Sequence, residues 1–558
     1  MSSSAQTGTA TGRAGPATSA PQRTPRPARI RMRPRAAAFL VPLGLVVSAA
    51  AGGAIPFTLA SYRDALAVVQ RGISMLGGVD AIARAGGLTV IGEGNYDLAG
   101  GQQGLHPDRP EPMPLHEVLV LDPAAGRMVH EGRSWIAPDA QEHRRRIYDD
   151  GRPPLVVDLL NRHAYWDIAA DAKSDLDGYR NVVPHYLLAR ALESRASLRR
   201  LPAEVGRAAV SMTLASGQTL TLGFDPETGL PQFVEYLVDM PNLGDAPVRW
   251  TWDGWHEVPG LGLYPAGHTV TLGGTVLRKV RYDRVAAGSA AGKEWLSVPD
   301  DIDVADPPPL AGRRGEPPPP EPREVADGVH VLADPRAGTS LLVVEFADFL
   351  AVVGAPAARL ELQQLPATTR PPGETSSSIS QRVLEAARTV APDKRVKYVV
   401  LTHWHGDKAG GARVFLAAGA SVVATSTTAG VVGAAARRPF TLEPDPWAAR
   451  MMSGSIDVVD GRHVMSDGQR ELHLIDVGQN PHATGMLVAW LPKERILFQD
   501  DLFDPGREGY FPAVERLPVM RWFVGWLESS GLDPERIYAV RGGATVTPEQ
   551  IGRIRALD

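Results

Sequence analysis

The chain is divided by a stretch that cannot enter a continuous core. In "PDDIDVADPPPLAGRRGEPPPPEPREVADG", Pro299–Gly328, runs of three and four prolines stand close together. Polyproline runs are stiff, extended and unable to donate to a sheet ladder. They therefore predict a linker between separately built regions. With 558 residues, the chain is long enough for two domains and tails. The expected layout is a basic tail with a signal or anchor segment at 1–57, an accessory domain at 58–298, a linker at 299–322 and a second domain at 323–558.

The two sides of the linker differ in pattern. Before it, "YRDALAVVQRGISMLGGVDAIARAGG" (Tyr62–Gly87) has apolar residues at helical spacing and a Gly-Gly break. Short segments with period-two alternation follow, such as "HEVLVLD", "TLTLGFD" and "QFVEYLVDM", joined by turns such as "DPETGLP". One helical stretch, Val183–Leu198, interrupts them. The expectation is a mainly antiparallel β domain with flanking helices. After the linker, strands alternate with amphipathic helices such as "SSISQRVLEAARTVA", which predicts an α/β domain.

Charge and composition exclude several function classes. The net charge is -5, so no bulk basic field argues for nucleic acid. There is no cysteine, so disulfides, thiolate metal sites and cysteine nucleophiles are excluded, and any metal needs His, Asp or Glu ligands. Residues 1–36 carry seven arginines and no acid, and the apolar segment Ala36–Ala54 follows and ends in small residues. That order describes an export signal, cleaved or kept as a membrane anchor. Read from Met32, it is an ordinary signal peptide. The expected location is periplasmic or extracellular, with membrane contact only through residues 36–54.

The chemistry concentrates in "THWHGDKAGG", Thr402–Gly411. His403 and His405 follow a buried strand, where loops converge above a sheet. His482, in "GQNPHATGM", also follows a strand, and Asp501 ends another in "RILFQDDLF". Three imidazoles and a carboxylate suit zinc. Alternation along the strand directs Asp500 away from Asp501. Other histidines form no such cluster: His473 reads as a strand residue, and His268, His330 and His463 as surface or turn residues. Trp250 and Trp252 are two apart and should pack on one strand face.

These motifs, in this order, resemble the metallo-β-lactamase-fold superfamily, from about Arg323 to the end. "THWHGDKAGG" is similar to its Thr-His-x-His-x-Asp-His-x-Gly-Gly signature. "NPHATGMLVAWLPKERILFQDDLF" resembles its third-histidine and aspartate segments, and "IYAVRGGATVTPEQI" its last strand. The resemblance implies an αββα sandwich with metal at one edge. By position it implies His403, His405 and His482 at a first metal site, Asp501 as the carboxylate that bridges two ions, and Asp407 at a second site. Two positions depart. Lys408 stands where the second site needs a histidine, and Arg541, or Gly542 in a shifted register, replaces the last one. An ammonium is a poor ligand but balances carboxylate charge. One zinc ion is therefore expected rather than two, with Asp407, Lys408 and Arg541 as catalytic candidates.

Three functions fit this pattern. The first is hydrolysis of a small ester, amide or lactone. The second is iron-dependent oxygenation of the persulfide-dioxygenase kind, using His403, His482 and Asp501 with Fe²⁺. The third is a non-catalytic binding protein that keeps the fold. β-Lactam hydrolysis does not follow from the fold. The first domain, through "MLGGVDAIARAGGLTVIGEGNYDLAGGQQG", weakly resembles lipoprotein-carrier-like periplasmic proteins, which implies a curved sheet with a groove for an apolar ligand.

Overall fold

The computed structural model describes residues 56–557, apart from 98–111, 138–139, 150, 168–171, 203–206, 289–291, 293, 307–319, 335–338, 359–373, 449–453, 507–509 and 542–544. The expected signal segment Ala36–Ala54, Pro307–Pro309, Pro317–Pro319 and Gly542 lie outside the described residues. Among the described residues no helix is long and apolar enough to cross a membrane.

The first region opens with the helix Phe57–Met75. It breaks at Gly77 and Gly78, both at positive φ, before the short helix Gly78–Arg84. Left-handed backbone at two consecutive positions is a conformation that glycine adopts freely. A thirteen-stranded sheet follows. Its first strand, Leu88–Tyr96, pairs antiparallel with both Met113–Asp122 and Thr275–Ala287. From there the sheet extends to His163–Trp166 at one edge and Arg199–Arg200 at the other. The helical interruption is two helices, Ala172–Val182 and Pro184–Glu193, where the sequence pattern suggests one.

Helices and sheet enclose one core that includes Leu76, Leu187, Phe224, Tyr236, Trp250 and Trp252. Both tryptophans are buried, as their spacing predicts. His268 is not a surface residue. It is buried in the strand Gly267–Leu272, its ring stacked 4.8 Å from that of Trp250. Alternation with Val270 and Leu272 puts it on the inward face. The space left inside is about 20 Å³, bordered by Glu117, His130, His268 and Arg278. That volume holds about one water molecule.

The stretch around the proline runs takes part in the fold at both ends. Ile302 packs with Leu155, Val157 and Ala164. Pro322–Ala326 is already the edge strand of the next sheet.

The second region is a four-layer αββα sandwich. A seven-stranded sheet starts at Pro322–Ala326 and ends at Ile456–Val458; it is antiparallel up to Phe349–Val353 and parallel through Arg395–Val400 and Ser421–Ala424. A six-stranded sheet runs from Arg462–Ser466 to Thr545–Val546. Their inner faces share a core in which Val331, Leu342 and Val344 join Leu474, Leu487 and Phe498. The helix Ser378–Val390 covers the outer face of the first sheet, and Leu517–Ser529 covers the second. The strand Thr339–Glu345 is buried on both faces, which is why "SLLVVE" reads as a continuous apolar run.

A candidate metal centre

Four chain segments leave these sheets and meet at one end. The strand Arg395–Val400 leads to His403 and His405. Glu471–Asp476 leads to His482, Ile496–Gln499 to Asp501, and Arg536–Ala539 to Arg541. His403 and His405 are buried and His482 is half-buried.

The ring nitrogens converge. Nε2 of His403 is 2.9 Å from Nδ1 of His405 and 3.3 Å from Nε2 of His482. Oδ2 of Asp501 is 3.5 Å from His482 Nε2 and 3.8 Å from His403 Nε2. A tetrahedral ion with arms of about 2.0–2.1 Å has ligand atoms about 3.3 Å apart. The four atoms straddle that value. Asp501 Oδ2 is buried and makes no hydrogen bond, its other charged neighbour being the Lys408 ammonium at 3.3 Å. His403, His405, His482 and Asp501 thus form a cluster able to hold a metal ion. Burial, and then the neighbouring imidazoles, hold His403 and His405 well below the usual histidine range, so both rings are neutral and have lone pairs to offer.

Asp501 is placed by a bent backbone. Its φ is 53°, in the left-handed region. The preceding Gln499 braces the turn: its Oε1 accepts from the amides of Leu502 and Phe503 at 3.1 and 3.0 Å, and its Nε2 donates to the Phe503 carbonyl at 2.7 Å. Strand alternation therefore stops at Gln499, and Asp500 does not turn away. Its Oδ2 accepts from Thr402 Oγ1 at 2.5 Å, and its Oδ1 lies 3.1 Å from Lys408 Nζ. Asp500 is a site residue that strand periodicity alone misses.

The two cations that depart from the signature both point inward. Lys408 is buried, with Nζ also 3.3 Å from Asp501 Oδ2 and 3.6 Å from Asp407 Oδ2. Arg541 donates from Nε to Asp501 Oδ1, and its Nη2 is 3.7 Å from Asp407 Oδ2. Its side chain keeps 32 % of its surface exposed. Against the cost of burial, Arg541 and then Lys408 hold the Asp501 carboxyl well below its ordinary range. Burial pushes Asp500 up to about 6. Asp407 lies outside the cluster of four and beside the two cations.

His473, by contrast, is a strand residue whose Nε2 lies 2.8 Å from Glu471.

The four-layer αββα fold with a histidine-aspartate cluster at its strand exits defines a domain of the metallo-beta-lactamase kind. Residues 372–539 match the metallo-beta-lactamase superfamily, and this part of the chain belongs to it. No curated protein matches the chain. Among solved structures, a metallo-beta-lactamase from Pontibacter korlensis is similar at 17% identity and TM-score 0.31, covering 43% of this chain and 98% of that one. The metallo-beta-lactamase FIM-1 from Pseudomonas aeruginosa, in its mono-zinc form, is similar at 18% identity and TM-score 0.30, covering 43% and 94%. One from Hirschia baltica is similar at 16% identity and TM-score 0.31, covering 43% and 97%.

Proposed function

We propose that this protein is a hydrolase of small ester, amide or lactone substrates that works with one metal ion, zinc by its donor set. The observation that carries this reading is the convergence of three imidazole nitrogens and Asp501 Oδ2 on one point. Three imidazole nitrogens and one carboxylate oxygen fit Zn²⁺. Bound there, zinc would supply Lewis acidity toward a carbonyl and toward water.

The chain's own residues divide the remaining work. Lys408 is enclosed by Asp407, Asp500 and Asp501, so it acts as the counter-charge that a second ion would otherwise provide. Arg541 is partly exposed, so it is the cation that can meet an anionic group or a developing oxyanion on a substrate. Asp407, with 15% of its side chain exposed, is placed to orient a water or take its proton. An oxygenase set of His403, His482 and Asp501 would leave His405 without a task. Yet His405 Nδ1 forms the shortest of the ring-nitrogen contacts, at 2.9 Å, which favours the three-histidine reading.

Element-resolved metal analysis, joined to a panel of ester, amide and lactone substrates, tests this. The expected result is about one zinc per chain, with hydrolysis that His403→Ala abolishes. A stoichiometry near two overturns the one-ion reading. Zinc-loaded protein inert on the whole panel overturns the hydrolase reading in favour of a binding role.

A further inference from the structure

The antiparallel sheet reaches the metal loop itself. The turn between Pro231–Met240 and Gly244–Asp253 inserts against Thr402–Gly411. Asn242, 3% exposed, donates from Nδ2 to the carbonyl of Trp404 at 3.2 Å. Trp404 is the residue between His403 and His405.

The rest of this loop's backbone is held from within the α/β region, where the Ala355 amide donates to the Lys408 carbonyl and the Gly411 amide to the Ala355 carbonyl, both at 2.9 Å. The Thr402 carbonyl accepts from the Leu487 amide at 2.8 Å, and the His405 carbonyl accepts from Lys408 and Ala409 at 2.9 and 2.8 Å. Those bonds come from within the α/β region. The Trp404 carbonyl lies between them, and its donor comes from a strand turn more than 150 residues earlier. A buried carbonyl without a donor is costly, so this bond fixes the peptide that links the two ligands.

The fit around the turn is close. A Cβ on Gly410, the first glycine of the pair that ends the motif, would come 2.5 Å from Pro241 Cβ. Gly244, at φ +70°, leaves room for the Pro439 carbonyl, 2.1 Å from where a Cβ would stand. Asp245 accepts from the amides of Thr441 and Leu442 at 2.9 and 3.1 Å, and the amide of Ser376 donates to Asp239 at 3.3 Å.

We propose that Asn242 is a positioning residue for the metal centre: through the Trp404 carbonyl, the antiparallel sheet sets the spacing of His403 and His405. The inference rests on the metal-site reading above. Removing a group that orients ligands in this way lowers metal affinity about 10–100-fold.

The test is competitive titration of the full-length protein with Zn²⁺, together with the visible absorption spectrum of its Co²⁺ form. Asn242→Ala is expected to weaken Zn²⁺ binding by that factor and to shift the Co²⁺ bands, with the far-ultraviolet circular dichroism unchanged. Asn242→Asp keeps the shape but faces one carbonyl with another oxygen, and should show the same loss; it serves if the alanine variant does not fold. Asp245→Asn, at the start of the following strand and away from the loop, should stay within about twofold of wild type, well short of that loss. Wild-type affinity and spectrum in both Asn242 variants overturn the inference and leave the metal site standing. An equal loss in Asp245→Asn also overturns it, because docking in general would then be the cause. Wild-type protein that binds neither ion overturns the metal-site reading and this inference with it.

Discussion

Lys408 holds its ammonium 3.1 Å from Oδ1 of Asp500, and both side chains are buried. The same ammonium lies 3.3 Å from Asp501 and 3.6 Å from Asp407. One flexible cation therefore faces three carboxylates that could not stay ionised together in a low-dielectric site without it. Arg541 adds a second positive charge, its Nε donating to Asp501 Oδ1.

Removing that charge while keeping the volume should cost stability. Lys408→Met leaves the carboxylates without their central partner, and breaking a buried ion pair from one side costs about 3–5 kcal/mol. Urea unfolding of the metal-free protein reads this directly. A change under about 1 kcal/mol would show that the carboxylates are neutralised by other means.

Restoring histidines should restore a second ligand set. The double substitution Lys408→His, Arg541→His returns imidazoles to the two departed positions and frees Asp407. Metal content should rise from about one toward two per chain, the expectation for a completed site. An unchanged count would mean that residues beyond these two keep the second ion out.

The sequence made the strand exits legible because ligands there are fixed by strand position and by residue type. His403, His405, His482 and Asp501 follow that rule, and the structure brings them together. Asp500 broke it. Its direction depends on the left-handed backbone of Asp501 and on the brace that Gln499 makes, and neither belongs to an alternation pattern. Asn242 was illegible for a different reason. Its role exists only because a turn of one region docks on a loop of the other, and nothing local marks that contact. The same holds for Glu117 and Arg278, a buried ion pair between strands far apart in sequence, with the rings of His130 and His268 beside it.

The histidines can be separated by element analysis of single alanine variants. His403→Ala and His482→Ala should each lose most bound metal. His405→Ala should do the same if three imidazoles hold the ion, because its Nδ1 lies 2.9 Å from His403 Nε2. Retention of iron by His405→Ala would instead support a two-histidine, one-carboxylate site.

A second contact joins the two regions through the segment that follows Asp501 in the chain. Arg144 donates from Nη2 to Glu515 at 2.7 Å, Asn161 donates to the other Glu515 oxygen at 2.9 Å, and the Tyr510 hydroxyl donates to Asp158. Glu515 is buried, so Arg144→Ala leaves a buried carboxylate short of its charge partner. The expected loss is on the order of 3 kcal/mol. Calorimetry should also show the variant's unfolding broader, or split further, than that of wild type, since this pair links two separate cores. A sharp, unshifted transition would show that the network is peripheral.

The stability of the first region should depend on pH through His185. This ring is buried against Tyr264, with centroids 5.6 Å apart, and its Nε2 lies 3.3 Å from the Leu261 carbonyl. Burial pushes its pKa down to about 4, against the smaller opposing effect of that carbonyl. The unfolded chain takes up the proton near pH 6.5, so it binds more protons than the folded chain between about 6.5 and 4. The contribution is therefore fully present above about pH 6.5 and is lost as the pH falls toward 4, for a total of about 3 kcal/mol. His185→Leu removes the group, so its unfolding free energy should fall less steeply than that of wild type, by up to about 1.4 kcal/mol per pH unit between pH 6 and 4.5. Urea unfolding at a series of pH values gives both slopes. Parallel lines would mean that the ring takes up its proton in the folded protein as readily as in the unfolded chain.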